Sequence, residues 1–209
     1  MSDERTSQKG LYTFTSPVVM VFPNLFKPRS FTKNAAANDA KYDAKFLFEV
    51  ISPDLKSMKQ VILEVAEAKW PGRNKKELHY PFASGTKQAD DAKAKGKDLD
   101  FMRGKVVLTA RSQFAPRLSA VENGSLVEYL DENLRAAAAP KFYNGVQVLA
   151  QVNFASYESA GFGDGITAYL RMVLSFNRGD RIGSGASAAE VFSSYIGHLS
   201  TEDPYDAPF

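Results

Sequence analysis

Apolar and polar residues alternate most regularly in the last third of the chain. In "VQVLAQVNFASY", Val146, Val148, Ala150, Val152 and Phe154 are separated by Gln147, Gln151 and Asn153, the period of a strand with one buried face. After the glycine-rich "ESAGFGDG", the segment "ITAYLRMVLSF" alternates again, with Ile166, Ala168, Leu170, Met172, Leu174 and Phe176 on one side and Tyr169, Arg171, Val173 and Ser175 on the other. Two such segments around a glycine turn predict a hairpin. Upstream, residues 13–22 and 42–50 and the segment 103–114 carry the β-branched and aromatic content of further strands.

Helical spacing is clearest after Ser52. Ser52 is placed as N-cap and Pro53 as the first helical residue, Leu55, Met58, Ile62 and Val65 form one stripe, and Pro71 with Gly72 end the element. "SLVEYLDENLRAAAAP" predicts a second helix stopped by Pro140, and Ser187 with Glu190 has capping-box spacing for a short last one. Residues 73–100 are polar and basic without clear periodicity and read as a long loop or arm. The expected fold is mainly β with α, an OB-fold-like closed barrel of about five strands with extra helices and long loops. Three parts are expected: a flexible N-terminus over 1–10, the domain over 11–199 and an acidic tail over 200–209.

Composition narrows the chemistry. The 209 residues include no cysteine and two histidines, His79 and His198, so thiolate metal sites and disulfides are excluded and no cofactor or metal is expected. The longest apolar run, "PVVMVF", is too short for a membrane span, and the expected location is the cytoplasm, that of the host cell if a phage encodes the chain. Asp90, Asp91, Asp98, Asp100, Asp131 and Glu132 lie in charged stretches and are read as surface, so no catalytic residues are assigned. "GSGASAAE" from Gly183 lacks the Gly-Lys-Ser/Thr end of a phosphate loop.

The net charge of +2 conceals an asymmetry. The segment 201–209, "TEDPYDAPF", holds Glu202, Asp203 and Asp206 and no base; without it, 26 bases face 21 acids. Basic residues are interleaved with aromatics. Phe26 and Phe31 neighbour Lys27, Arg29 and Lys33; Lys75 and Lys76 precede Tyr80 and Phe82; Arg103, Lys105 and Arg111 run along one segment towards Phe114 and Arg117. Cations that follow phosphates and aromatic faces that stack bases are the chemistry of single-strand binding. The groove is assigned to Arg103, Lys105, Arg111, Tyr80, Phe82, Tyr169 and Arg171, with Lys75 and Lys76 in the basic loop. Tyr157 is a further stacking candidate, and Phe46, Phe48, Phe154 and Phe176 are assigned to packing.

Residues 142–192 resemble a family of bacteriophage single-stranded DNA-binding proteins. The likeness is carried by Phe142, Tyr143 and Gly145, by Gly165 and Ile166, by Arg178, Gly179, Asp180, Arg181 and Gly183, and by Glu190 and Phe192. Asn144 departs from the pattern, which has Ser between the Tyr and the Gly. "RGKVVLTARSQFAPRLSAVENG" is similar to the family's strand and arginine-proline turn. The resemblance implies an OB-fold that binds single-stranded DNA with little sequence preference in phage replication or recombination. Residues 201–209 resemble the acidic peptides, closing on Phe, through which such proteins recruit replication or recombination partners, here Glu202, Asp203, Asp206 and Phe209; competition with DNA is a second role. Homo-oligomer formation stays open. Two rivals remain on sequence alone: a phage structural or assembly protein with a β-sandwich, and a nucleic-acid enzyme using the carboxylates.

Overall fold

The computed structural model describes residues 9–30 and 40–183. The linker residues Phe31 and Lys33, the helix expected at Ser187 and Glu190, and Glu202, Asp203, Asp206 and Phe209 lie outside the described residues.

Among the described residues, nine strands and three α-helices follow the order β1 (Leu11–Thr13), β2 (Val18–Arg29), β3 (Lys41–Glu49), α1 (Pro53–Lys69), β4 (Phe82–Ser84), α2 (Gly85–Lys93), β5 (Lys105–Ser112), β6 (Arg117–Glu122), β7 (Ser125–Tyr129), α3 (Glu132–Ala138), β8 (Gln147–Tyr157) and β9 (Gly165–Ser175). Five strands close a ring: β2 pairs β3, β3 pairs β5, β5 meets β9 in parallel at Arg111 and Tyr169, β9 pairs β8, and β8 returns to β2. The short β1 continues the edge of β2 along β8, and the β6–β7 hairpin extends β9.

The inward residues are the ones the alternation marks: Val148, Ala150, Val152 and Phe154 on β8 and Ile166, Ala168 and Leu170 on β9 are buried. Phe14 stands edge-on to Phe46 and Phe48 at 5.2 and 5.1 Å between ring centroids. On α1 the buried stripe is Asp54, Met58, Ile62 and Ala66, one residue every turn. Asp54 is fully buried and accepts from the Tyr12 hydroxyl (2.6 Å), the Thr15 hydroxyl (2.8 Å) and the Thr15 N–H (3.0 Å). Burial, then the Asp54 carboxylate, pushes the Tyr12 phenol up to about 12. Ser52 does precede the helix, but its side chain makes no capping bond.

Three expectations need correction. The face of β9 switches: Gln151 pairs Met172 while Val152 pairs Leu170, so Arg171 is an extra, bulged residue. Beyond it Val173 and Ser175 point inward and are fully buried, whereas Met172 and Leu174 are half-buried. Residues 73–100 are ordered, with a 3-10 turn at Lys75–Glu77, then β4 and α2. Ser84 caps α2 by accepting from Lys87 N–H, and Ala89 and Ala92 form its buried face. Residues 125–129 are a strand, joined to β6 through Asn123 and Gly124, both at positive φ, the backbone of a tight hairpin turn. The helix of that region begins only at Glu132, after Asp131 caps it.

Candidate nucleic-acid interface

The parallel contact of β5 and β9 is short, because both strands have other neighbours. β4 occupies the same edge of β5 opposite Val106–Leu108, and His79 bridges to Gly165. At the other end of β5 the chain leaves through residues 113–116 and re-enters the sheet as β6, still along β9. Arg171 is the extra residue of β9 opposite this break. A strand change beside a bulge leaves a concave seam on the surface.

That seam holds two adjoining clefts. The first, about 570 Å³, is lined by the aromatic residues Tyr80, Phe82, Tyr157 and Tyr169, by the cations Lys41 and Arg111, and by Thr109, Ser112, Gln113 and Thr167. The second, about 520 Å³, shares Ser112, Gln113 and Tyr169 and adds Phe114, Arg117 and Arg171. The shared residues make them one groove, with Tyr169 at its centre. Tyr169 is 43% exposed and Phe114 80% exposed, so both present ring faces to solvent. Lys45, paired across the sheet with Thr109 of the first cleft, donates to Gln88 Oε1 at 2.6 Å. Burial pushes the Lys45 ammonium below its ordinary range; the nearby Arg111 guanidinium adds to the effect and the Asp43 carboxylate opposes it.

The loop between β8 and β9 flanks the groove and is tied down. Arg73 donates to Asp164 at 2.6 Å, Lys69 pairs with Glu158 at 3.3 Å, and Asp164 Oδ1 accepts from Ser159 N–H. The hydrogen bond from Arg73 holds the Asp164 carboxyl below the usual range. Such a group stabilises the fold above its unfolded value, near about pH 3.9, and the contribution is lost as pH falls through the lower folded value. Amide exchange over 158–164, normalised to the intrinsic rate at each pH, is therefore expected to rise on acidification below about pH 4. Arg73→Gln should raise exchange in this loop already at neutral pH; a pH-flat, variant-insensitive profile would contradict the tether.

The structure brings together five of the sequence-assigned residues, Arg111, Tyr80, Phe82, Tyr169 and Arg171. It separates four. Arg103 is engaged by Asp90 (2.7 Å) and Asp100 (2.8 Å), and Lys105 by Glu49. Lys75 pairs with Glu67 at 2.7 Å and, with Lys76, lines a different hollow. Those four follow chain neighbours in a basic tract, where sequence proximity does not fix side-chain direction. Lys41 was missed: it starts β3 directly after the linker, and only its register opposite Arg29 reveals its side. Phe114, Arg117 and Tyr157 were noted for their chemistry, and the break between β5 and β6 is what gathers them. The six surface carboxylates are exposed, and Asp90, Asp100 and Asp131 are spent on Arg103 and the α3 cap. Among the described residues no three His, Asp or Glu converge on a metal position, and no helix is long and apolar enough to cross a membrane.

A five-stranded ring with antiparallel neighbours and one parallel closure is consistent with an OB-like barrel, and such barrels take oligonucleotides across the face of their second and third strands and the adjoining loops, here β3, β5 and the loop between β8 and β9. The family profile of the Enterobacter phage Enc34 ssDNA-binding protein matches residues 13–204, and the chain belongs to that family. Among solved structures, the single-stranded DNA-binding protein from bacteriophage Enc34 in complex with ssDNA is similar at a TM-score of 0.64 with 21% identity, covering 84% of this chain and 91% of that one. A second structure of the single-stranded DNA-binding protein from bacteriophage Enc34 gives 0.62 and 20%, covering 87% and 89%. Gp2.5, a single-stranded DNA-binding protein encoded by bacteriophage T7, gives 0.51 and 12%, covering 95% and 98%. Among curated protein sequences none matches.

Proposed function

We propose that this protein binds single-stranded DNA along the groove running from Tyr80 and Tyr157, past Tyr169, to Phe114 and Arg171. The observation that carries the proposal is the continuity of that groove, in which four cations lie among aromatic side chains, Tyr169 and Phe114 exposed and Tyr80, Phe82 and Tyr157 half-buried, on an OB-like barrel. Phosphates follow Lys41, Arg111, Arg117 and Arg171, and bases stack on the tyrosines and Phe114 without edge-specific hydrogen bonds, so sequence preference is weak. The protein coats and protects the strand without catalysis, in phage DNA replication or recombination in the host cytoplasm. Residues 11–199 form the binding body. The acidic segment with Glu202, Asp203, Asp206 and Phe209 recruits partner proteins and opposes DNA.

Fluorescence anisotropy tests this reading. Labelled oligo(dT) should bind more tightly than a duplex of equal length. Log affinity should fall against log salt with a slope of about −3, some 0.7 for each of four phosphates neutralised. Removing residues 201–209 should tighten binding. Absence of oligo(dT) binding, or binding indifferent to salt, would sink the proposal; assembly into stable rings or filaments without DNA binding would favour the structural rival.

A further inference from the structure

The bulge at Arg171 changes what the outside of the barrel presents. Up to Leu170 the apolar residues of β9 point inward, but beyond the bulge Val173 and Ser175 take the inner positions and turn Met172 and Leu174 outward. Register carries this outer row across the neighbouring strands: Leu174 stands opposite Leu149 of β8 and Ser119 of β6, and two residues further along β6 Val121 stands opposite Leu126 of β7. Leu149, Met172, Leu174 and Val121 are half-buried, and Leu126 is 61% exposed. A sheet with one solvated face alternates apolar with polar, whereas a stretch apolar on both faces belongs to a strand covered on both. A contiguous apolar patch of this kind marks a contact surface.

The outer surface of the other half of the barrel is already covered. Val21, Leu47 and Val107 on β2, β3 and β5 form a second apolar cluster with Met102, and Phe101 and Ile182 pack against it. Among the described residues, neither apolar cluster includes Met172, Leu174, Val121 or Leu126. Ile182 also fixes where the chain leaves the described body. Its N–H donates to Asn144 O at 2.9 Å, and Gln147 N–H, at the start of β8, donates to Arg178 O at 2.8 Å. The exit therefore lies beside the strand that carries Leu149.

The chain beyond that exit has the complementary pattern. In "SAAEVFSSYIGHLS", Ala188, Val191, Phe192, Tyr195, Ile196 and Leu199 recur at the three- and four-residue steps of one helical face, with Ser193, Ser194 and His198 between them. A helix this short is marginal alone in water and needs an apolar surface to lie on. The lengths agree. Residues 187–199 would extend about 20 Å as a helix, against about 14 Å between the first and last of four adjacent strands. The linking residues 184–186 reach about 10 Å when extended, two strand spacings from the exit. We propose that residues 187–199 form an amphipathic helix lying across the outer face of β8, β9, β6 and β7 of the same chain, with Phe192 and Ile196 against Leu174 and its neighbours. The acidic segment 201–209 is no part of this contact.

A photocrosslinking p-benzoylphenylalanine placed at position 192 of the full chain, irradiated without DNA, tests the docking. Adducts are expected in the monomer band, on Leu149, Met172, Leu174, Val121 or Leu126. Ile196→Asp with Leu199→Asp, a change outside the described body that leaves the barrel core untouched, should reduce them at least tenfold, and Ile196→Leu with Leu199→Met should retain them. Leu126→Glu, at an exposed position, should reduce them at least threefold. Adducts that only join two chains would assign the face to a second copy and overturn the proposal. Adducts confined to the α1 hollow of Leu55, Ile62, Leu63, Lys75 and Lys76, none on the protein, or an aspartate variant that crosslinks as well as the parent would also overturn it.

Discussion

Replacing Tyr169 with alanine is expected to weaken oligo(dT) binding about 5- to 150-fold, the equivalent of roughly 1–3 kcal/mol for a lost base stack. No other groove aromatic is placed as centrally. Tyr169 lines both clefts, lies level with Arg111 across the β5–β9 contact, and is two residues from Arg171 on the same exposed side. Its 43% exposure means that truncation opens no cavity in the core, so thermal stability should hardly change. Tyr169→Phe keeps the stacking face and should retain most of the affinity. An alanine variant within twofold of the parent would show that bases do not pass this point.

Gly145→Ala is expected to destabilise the fold by more than about 3 kcal/mol, lowering Tm by roughly 6–12 °C for a domain of this size. Gly145 adopts φ +100°, and a Cβ there would stand 1.8 Å from the Asp180 carbonyl oxygen. Retreat is blocked, because Gly145 N–H donates to Met20 O and Gln147 N–H to Arg178 O at 2.9 and 2.8 Å. The neighbouring family residues complete the same junction. Phe142 is buried against Phe26 and Tyr129, Tyr143 donates to Gly179 O, and the Arg181 guanidinium lies 4.2 Å from the Tyr143 ring. Asn144, the departure from the family pattern, accepts from Phe22 N–H, where β2 takes a positive φ; a serine hydroxyl could accept the same bond. Phe142, Tyr143, Gly145, Gly179 and Arg181 thus lock the end of β9 to the start of β8 and to β2, whereas Ile166, Arg111, Phe114 and Arg117, from the other matching segments, line the groove. A Gly145→Ala protein within about 0.5 kcal/mol of the parent by denaturant titration would contradict this.

What could be read in advance follows from the range of each interaction. The alternation of β8 is a local signal, and the buried residues there match it; on α1 Met58 and Ile62 are buried as the stripe places them, while Leu55 and Val65 are half-buried and Asp54 and Ala66 take the inner positions. The bulge at Arg171 is set by pairing with β8, so strict alternation placed Met172 and Leu174 inward when Val173 and Ser175 belong there. α2 buries alanines and a glycine only, a face too weakly apolar to stand out among lysines and aspartates. The β6–β7 hairpin was legible: Asn123-Gly124 between alternating residues is a strong turn signal, outweighed by the run of alanines after it. For the groove, residue types on β5 and β9 pointed to Arg111, Tyr169 and Arg171. Lys41 and the partition of Arg103 and Lys105 into ion pairs depend on cross-strand register and on carboxylates far away in sequence or brought close by turns.

The path of DNA over the protein is tested most directly by photocrosslinking the full chain to oligo(dT) carrying 5-iododeoxyuridine and mapping the adducts. Crosslinks should fall on Tyr80, Tyr157, Tyr169 and Phe114, and should fade as salt rises. Adducts on β7 and α3 or in the α1 hollow, with none between Arg111 and Arg117 or at Tyr169, would contradict the groove.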